Sequence, residues 1–135
     1  MRTMNIKKYL LLAGSLITAG SLLAQNPPRI QYRKTVINAG AFPLSDHTKE
    51  YVFHYKNVGD SALVITRVAA TCACVSVDFS REPLMPGDST TITARYEAHT
   101  PGKFSQMLTV ISNSDRKITR LYLQGDVTEA KKENE

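Results

Sequence analysis

The sequence predicts an all-β sandwich of about seven short antiparallel strands, preceded by a cleaved signal peptide. Three observations lead there. Beyond the first 30 residues, apolar and polar side chains alternate with period two, the mark of a strand with one buried face. Turn signals interrupt the alternation at Asn57-Val58-Gly59-Asp60, Pro86-Gly87-Asp88, Thr100-Pro101-Gly102 and Ser112-Asn113-Ser114-Asp115. After the N-terminal segment, no window carries an apolar stripe at helical spacing.

The first element is residues 1–24. Arg2, Lys7 and Lys8 precede an apolar stretch from Tyr9 to Leu23, broken by Gly14, Ser15, Gly20 and Ser21. The stretch is shorter than the roughly 20 residues of a membrane span. A basic start, a short apolar middle and a small residue at its end read as a secretory signal, with cleavage after Ala24 and before Gln25. The mature chain then carries no membrane span. Residues 25–29 form a linker, residues 30–127 the domain and residues 128–135 a polar tail.

Removing the signal changes the charge argument. The whole chain of 135 residues carries 17 Lys+Arg against 12 Asp+Glu, a net +5 that would suit nucleic acid. Three of those positive charges belong to residues 1–24, so the mature chain is close to neutral. No run of five or more Lys/Arg remains to track a phosphate backbone, and nucleic acid is excluded as a partner. At 42% hydrophobic and 21% charged residues the chain is globular rather than disordered.

The strands follow in order. The first lies around Gln31 to Val36. In the next, Tyr51, Phe53 and Tyr55 alternate with Val52, His54 and Lys56. Leu63 and Ile65 begin another. Val75, Val77 and Phe79 alternate with Ser76 and Asp78; Ile92, Ala94 and Tyr96 alternate with Thr91, Thr93 and Arg95. Phe104, Leu108 and Val110 line one side of the following run, and Leu121, Leu123 and Val127 one side of the last. About seven such strands in roughly 100 residues point to a sandwich of immunoglobulin type. The disulfide-plus-Trp signature of antibody domains is absent, because there is no Trp and the two Cys stand side by side.

Asn57 and Gly59 tolerate left-handed backbone and would turn the chain between strands; Pro86 and Gly87 would do so before the strand near Thr90. Leu84 and Phe104 are core candidates. Arg67, Arg95 and Arg120 are expected on solvent faces. The sequence holds no Gly-x-Ser-x-Gly elbow, phosphate loop, His-Glu-x-x-His or Cys-x-x-Cys. Asp46 with His47, and Glu97 with His99, read as solvated loop pairs rather than acid–base dyads.

Several stretches, taken together, resemble one bacterial family. They are Phe53-His54-Tyr55-Lys56-Asn57-Val58-Gly59-Asp60, Leu63-Val64-Ile65, Thr71-Cys72-Ala73-Cys74, Pro83-Leu84-Met85-Pro86-Gly87-Asp88, Gly102-Lys103-Phe104 and Val110-Ile111-Ser112-Asn113. The family is the exported "domain of unknown function 1573", which is similar to the Hydin-type (ASH) immunoglobulin-like domains. The resemblance spans residues 30–127 and implies an immunoglobulin-like sandwich without an established activity. Where the family carries Gly between the two Cys and Thr after them, this chain has Ala73 and Val75.

Cys72 and Cys74 are the one chemical signal, and three readings stand. The first is two small apolar side chains in the core, which the general burial of Cys puts ahead. On a straight strand the pair would share the face of Ser76 and Asp78, away from the core, unless a bend near Cys74 reverses it. The second is a disulfide. Residues i and i+2 of a strand lie about 6.6 Å apart, so bridging needs a turn at Ala73. The third is a soft ion such as Cu(I) on two thiolates, with Met85 and Met107 as helpers, while His47, His54 and His99 are too scattered for zinc. No cofactor is expected; a metal, if any, would sit on Cys72 and Cys74.

The expected function is an exported, non-catalytic module that binds an envelope protein or glycan, or serves as a structural piece, in the periplasm or cell envelope of a Gram-negative bacterium. The loops at Gly59-Asp60, Pro86-Gly87 and Pro101-Gly102, and any exposed edge strand, are the candidate surfaces. The alternative is a periplasmic copper carrier or redox factor acting through Cys72 and Cys74. A pilus-chaperone-like role would need a basic cleft, and no residue pair in the sequence marks one.

Overall fold

The alternating segments fold as strands because each hides its apolar side in one shared core. The computed structural model describes residues 26–129. The signal peptide, its cleavage site and the end of the polar tail lie outside these residues. Eight strands form: β1 (Ile30–Tyr32), β2 (Val36–Pro43), β3 (Thr48–Asn57), β4 (Ile65–Ala70), β5 (Val75–Phe79), β6 (Ser89–Glu97), β7 (Gly102–Ser112) and β8 (Ile118–Thr128). A 3-10 turn at Leu44–Asp46 joins β2 to β3, and no α-helix stands among the described residues.

The strands make two four-stranded sheets, ordered β1-β3-β6-β5 and β2-β8-β7-β4. This is the strand arrangement of an immunoglobulin-type sandwich with its first strand divided between the sheets. The core runs between them. Phe53, Leu63, Ile65, Ile92, Leu108, Val110, Leu121, Leu123 and Val127 are almost wholly buried. At one end Phe42, Tyr96 and Phe104 cluster, with Tyr96 stacked on Phe104 at 4.2 Å between ring centroids. Leu84 and Phe104 pack against this core, as the sequence predicts. Arg67, Arg95 and Arg120 are exposed. Met85 is 56% exposed, so it fills no core gap.

Two features correct the expected strand set. The single strand expected over Gln31 to Val36 is two strands in different sheets, and β2 pairs with β8 in parallel rather than antiparallel fashion. The reason is parity. Ile30 and Tyr32 turn inward on even numbers, whereas Ile37 and Ala39 turn inward on odd ones. A straight strand would expose one pair or the other. The chain instead bends at residues 33–35. Arg33 N–H still bonds His54 O (2.9 Å) in the first sheet, and Thr35 O accepts from Tyr122 N–H (2.8 Å) in the second. A further register shift between Asn38 and Ala41 restores even parity, so that Phe42 is buried.

Candidate functional site

The cysteine pair sits where the chain passes from β4 to β5, between the sheets. The strand does not run straight through it. Thr71 N–H bonds Met107 O (3.1 Å), Val75 N–H bonds Cys72 O (3.2 Å) and Glu97 N–H bonds Cys74 O (2.9 Å). These bonds fold residues 71–74 into a turn and bring the two Cα atoms to 5.1 Å, within reach of a bridge. In the structure the sulfurs are bonded to each other. Cys74 N–H also points at Cys72 Sγ (3.1 Å). Both side chains are half-buried, and Cys74 packs against the core. The reading placed first on sequence, two unbonded core thiols, is therefore replaced by the second. The turn supplies the bend that a straight strand lacks, with Ala73 in place of Gly. Among the described residues no Lys, Arg or His side chain hydrogen-bonds to either sulfur, and no three His, Cys, Asp or Glu side chains converge on a metal position.

The turn residues Asn57, Gly59, Pro86 and Gly87 meet at the opposite end of β3. Asn57 is fully buried. Its Nδ2 donates to Ser61 O and to Leu84 O, both at 2.8 Å, and its Oδ1 accepts from Gly59 N–H at 3.0 Å. Its backbone N–H bonds Asp88 O, and its carbonyl accepts from Gly87 N–H (2.8 Å). One side chain thus joins the loop after β3 to the loop before β6. Gly87 has φ +85°, the left-handed geometry expected of it. Gly59 does not. A Cβ there would lie 2.5 Å from Arg29 N and 2.7 Å from Pro27 O, so this glycine is required for close backbone approach. These residues are structural, and no reactive group lies among them.

The structure assembles a third region that sequence spacing does not show. Between β1 and the start of β8 lies an open groove of about 610 Å³, lined by Arg29, Tyr32, Asp115, Arg116, Arg120 and Tyr122, among others. Tyr32 Oη and Thr119 Oγ1 lie 2.6 Å apart across it and link the two sheets. Burial pushes the Tyr32 hydroxyl up to about 12, against the smaller opposing effect of the Thr119 bond. Asp115 is the one carboxylate of the lining, and it pairs with Arg29 at 3.6 Å. A second groove of about 660 Å³ follows around the bend, lined by Arg33, Lys34, Val36, Glu50, Val52 and His54 among others. Its carboxylate, Glu50, is paired with Arg95 on the neighbouring strand. The side of the sandwich where the chain changes sheets is therefore basic and open. A basic cleft exists after all, built from Arg29 together with Arg116 and Arg120. Segments almost 90 residues apart supply it, so only the pairing of β1 and β8 with their sheets reveals it.

The model of a family described as "Protein of unknown function (DUF1573)" matches residues 30–127. No curated protein matches. Among solved structures, a protein of unknown function from Porphyromonas gingivalis W83 is similar at 17% identity and TM-score 0.68, over 79% of this chain and 50% of that one. The VesB protease of Vibrio cholerae is similar at 22% identity and TM-score 0.61, over 73% of this chain and 32% of that one. The ASH/PapD-like domain 7 of human CEP192 is similar at 13% identity and TM-score 0.62, over 96% of this chain and 100% of that one. These identities show a shared fold alone. The chain spans half of the first of these proteins and about a third of the second.

Proposed function

We propose, for a chain that belongs to the DUF1573 family, the role of an exported, non-catalytic binding module of the bacterial cell envelope. One observation carries the reading: the open side of the sandwich exposes Arg33, Lys34, Arg116 and Arg120, while the two carboxylates that line it, Asp115 and Glu50, are held by Arg29 and Arg95. A rigid sheet presenting an unneutralised, accessible groove suits recognition of a partner rather than chemistry. Export rests on the basic, apolar and small-residue order of residues 1–24.

The copper-carrier reading of Cys72 and Cys74 is not favoured, since sulfurs bonded to each other offer no thiolate to a soft ion. A redox role is not favoured either.

The test is recovery of an envelope protein or glycan on the immobilised chain, compared with an Arg116→Glu/Arg120→Glu variant. The reading expects one saturable partner, retained at low salt and lost with the charge reversal. Equal retention by both forms, or no saturable partner in repeated fractions, overturns it. Mass analysis of the exported chain should also find it beginning at Gln25.

A further inference from the structure

We propose that the free edge of β3, from Thr48 to Val52, takes an extended acidic peptide as an added strand. The inference rests on the binding-module reading and names its surface and partner class.

The edge follows from the pairing. β6 covers one side of β3 from Thr48 to Lys56. On the other side β1 pairs only with Tyr55–Asn57, and the last bond, Arg33 N–H to His54 O, ends where the chain bends away. Antiparallel ladders alternate, so each residue aims both backbone groups at one neighbour. Asn57 N–H bonds Asp88 O and His47 O accepts from Ala98 N–H, so odd-numbered residues of β3 face β6. His54 and Val58 bond toward β1, so even-numbered residues face the other way. Thr48, Glu50 and Val52 therefore direct their N–H and C=O groups at the open side. That is a row of alternating donors and acceptors at strand spacing, and extended peptide backbone is the ligand class that complements it.

The surroundings select among peptides. Val52 is 41% exposed and Val36 45%, two of the large apolar side chains left in solvent, and both line the same groove. Arg33, Lys34 and His54 border it, while Arg95 holds Glu50. A strand alternating acidic and β-branched residues would match both the charge and the apolar contacts. A second copy of this chain fits less well, since edge-to-edge pairing would bring its own Arg33 and Lys34 against these. The edges of β2, β4 and β5 differ from it. A register shift between Asn38 and Ala41 interrupts β2, and the disulfide-linked turn bridges β4 to β5.

The experiment titrates the purified protein with a labelled eight-residue peptide of alternating Glu and Val. Anisotropy reads binding and amide hydrogen exchange reads its location. Saturable binding is expected, with at least tenfold slower exchange at the amides of Glu50 and Val52. Arg33→Glu/Lys34→Glu should weaken it at least tenfold. A probe N-methylated at every residue, which has no N–H on either edge, should not bind, a control that leaves the protein unaltered. No binding, equal binding of a Lys-Val probe, binding without protection of those amides, a dimer formed through this edge, or displacement by an anionic glycan that leaves the edge unprotected would each overturn the proposal. If the peptide fails while a charge-dependent envelope partner is still captured, the edge fails alone. If neither binds, the module reading fails with it.

Discussion

The Asn57 side chain donates a 2.8 Å hydrogen bond to the carbonyl of Leu84, residues 27 positions apart in the chain. The same amide nitrogen reaches Ser61 O, and both loops depend on it. Removing it strands two partly buried carbonyls and leaves a void at a fully buried position. Each unsatisfied buried group costs about 1–3 kcal/mol. Asn57→Ala is therefore expected to lower stability by about 2–4 kcal/mol. Asn57→Asp should fare no better, because a carboxylate would face two carbonyl oxygens. Urea unfolding followed by circular dichroism checks both; a loss below 1 kcal/mol in the alanine variant would contradict the bonding described.

Gly59 offers a contrast in mechanism. Its backbone is not left-handed, so the usual argument for glycine does not apply. What forbids a side chain is backbone on backbone, with three atoms of the Pro27–Arg29 segment within 2.8 Å of an added Cβ. Backbone cannot rotate aside as a side chain end can. Gly59→Ala is expected to cost about 2 kcal/mol or more and to loosen residues 27–29. Increased hydrogen exchange at Val58, whose N–H bonds Arg29 O, is the local readout.

These two residues show what the sequence made legible. Strands β3, β6, β7 and β8 are readable because Phe53, Ile92, Leu108 and Leu121 each belong to a period-two run that keeps one parity, even across Gln106 in β7 and Gly125 in β8. The N-terminal strand pair is not, because its inward parity changes twice between Tyr32 and Phe42. Such a change is visible only once one looks for a crossing between sheets. At Cys72 and Cys74 the residues are compatible with a strand, and tertiary hydrogen bonds from β7 and β6 make the turn. The close approach at Gly59 is not legible in the local sequence, since the segment it meets, Pro27–Arg29, is distant in the chain. The basic groove was invisible for the same cause: Arg29 meets Arg116 only after eight strands have paired.

The disulfide closes a loop of three residues, so its entropic gain is small. Chain-entropy arguments give about 1.6 kcal/mol for a ring of that size, against about 3 for 15 residues. The Cys72→Ser/Cys74→Ser variant should fold and lose about 2 kcal/mol or less. Thiol titration of the denatured, unreduced protein should find none, and two after reduction. Two thiols before reduction would show the pair to be unbonded.

Tyr32 provides a pH dependence with a definite sign. Burial raises its hydroxyl to about 12, the Thr119 bond opposes this, and Tyr55 adds to the rise. The folded value lies above the unfolded one of about 10. The stabilisation is therefore complete below pH 10 and is lost as pH climbs toward 12, with a slope of at most about 1.4 kcal/mol per pH unit. Partial exposure of the ring reduces that slope through solvent screening. Tyr51, Tyr55 and Tyr96 are also raised by burial and act in the same direction. Tyr32→Phe should then do two things. It gives up the bond to Thr119, about 0.5–1.5 kcal/mol at pH 8. It also flattens the decline above pH 10 without abolishing it, since the other tyrosines remain. Urea midpoints from pH 8 to 11.5 separate the two effects. An unchanged slope in the variant would show that Tyr32 ionises as freely in the folded protein as in the unfolded chain, and an unchanged midpoint at pH 8 would show that the sheet-to-sheet link at Thr119 is not closed.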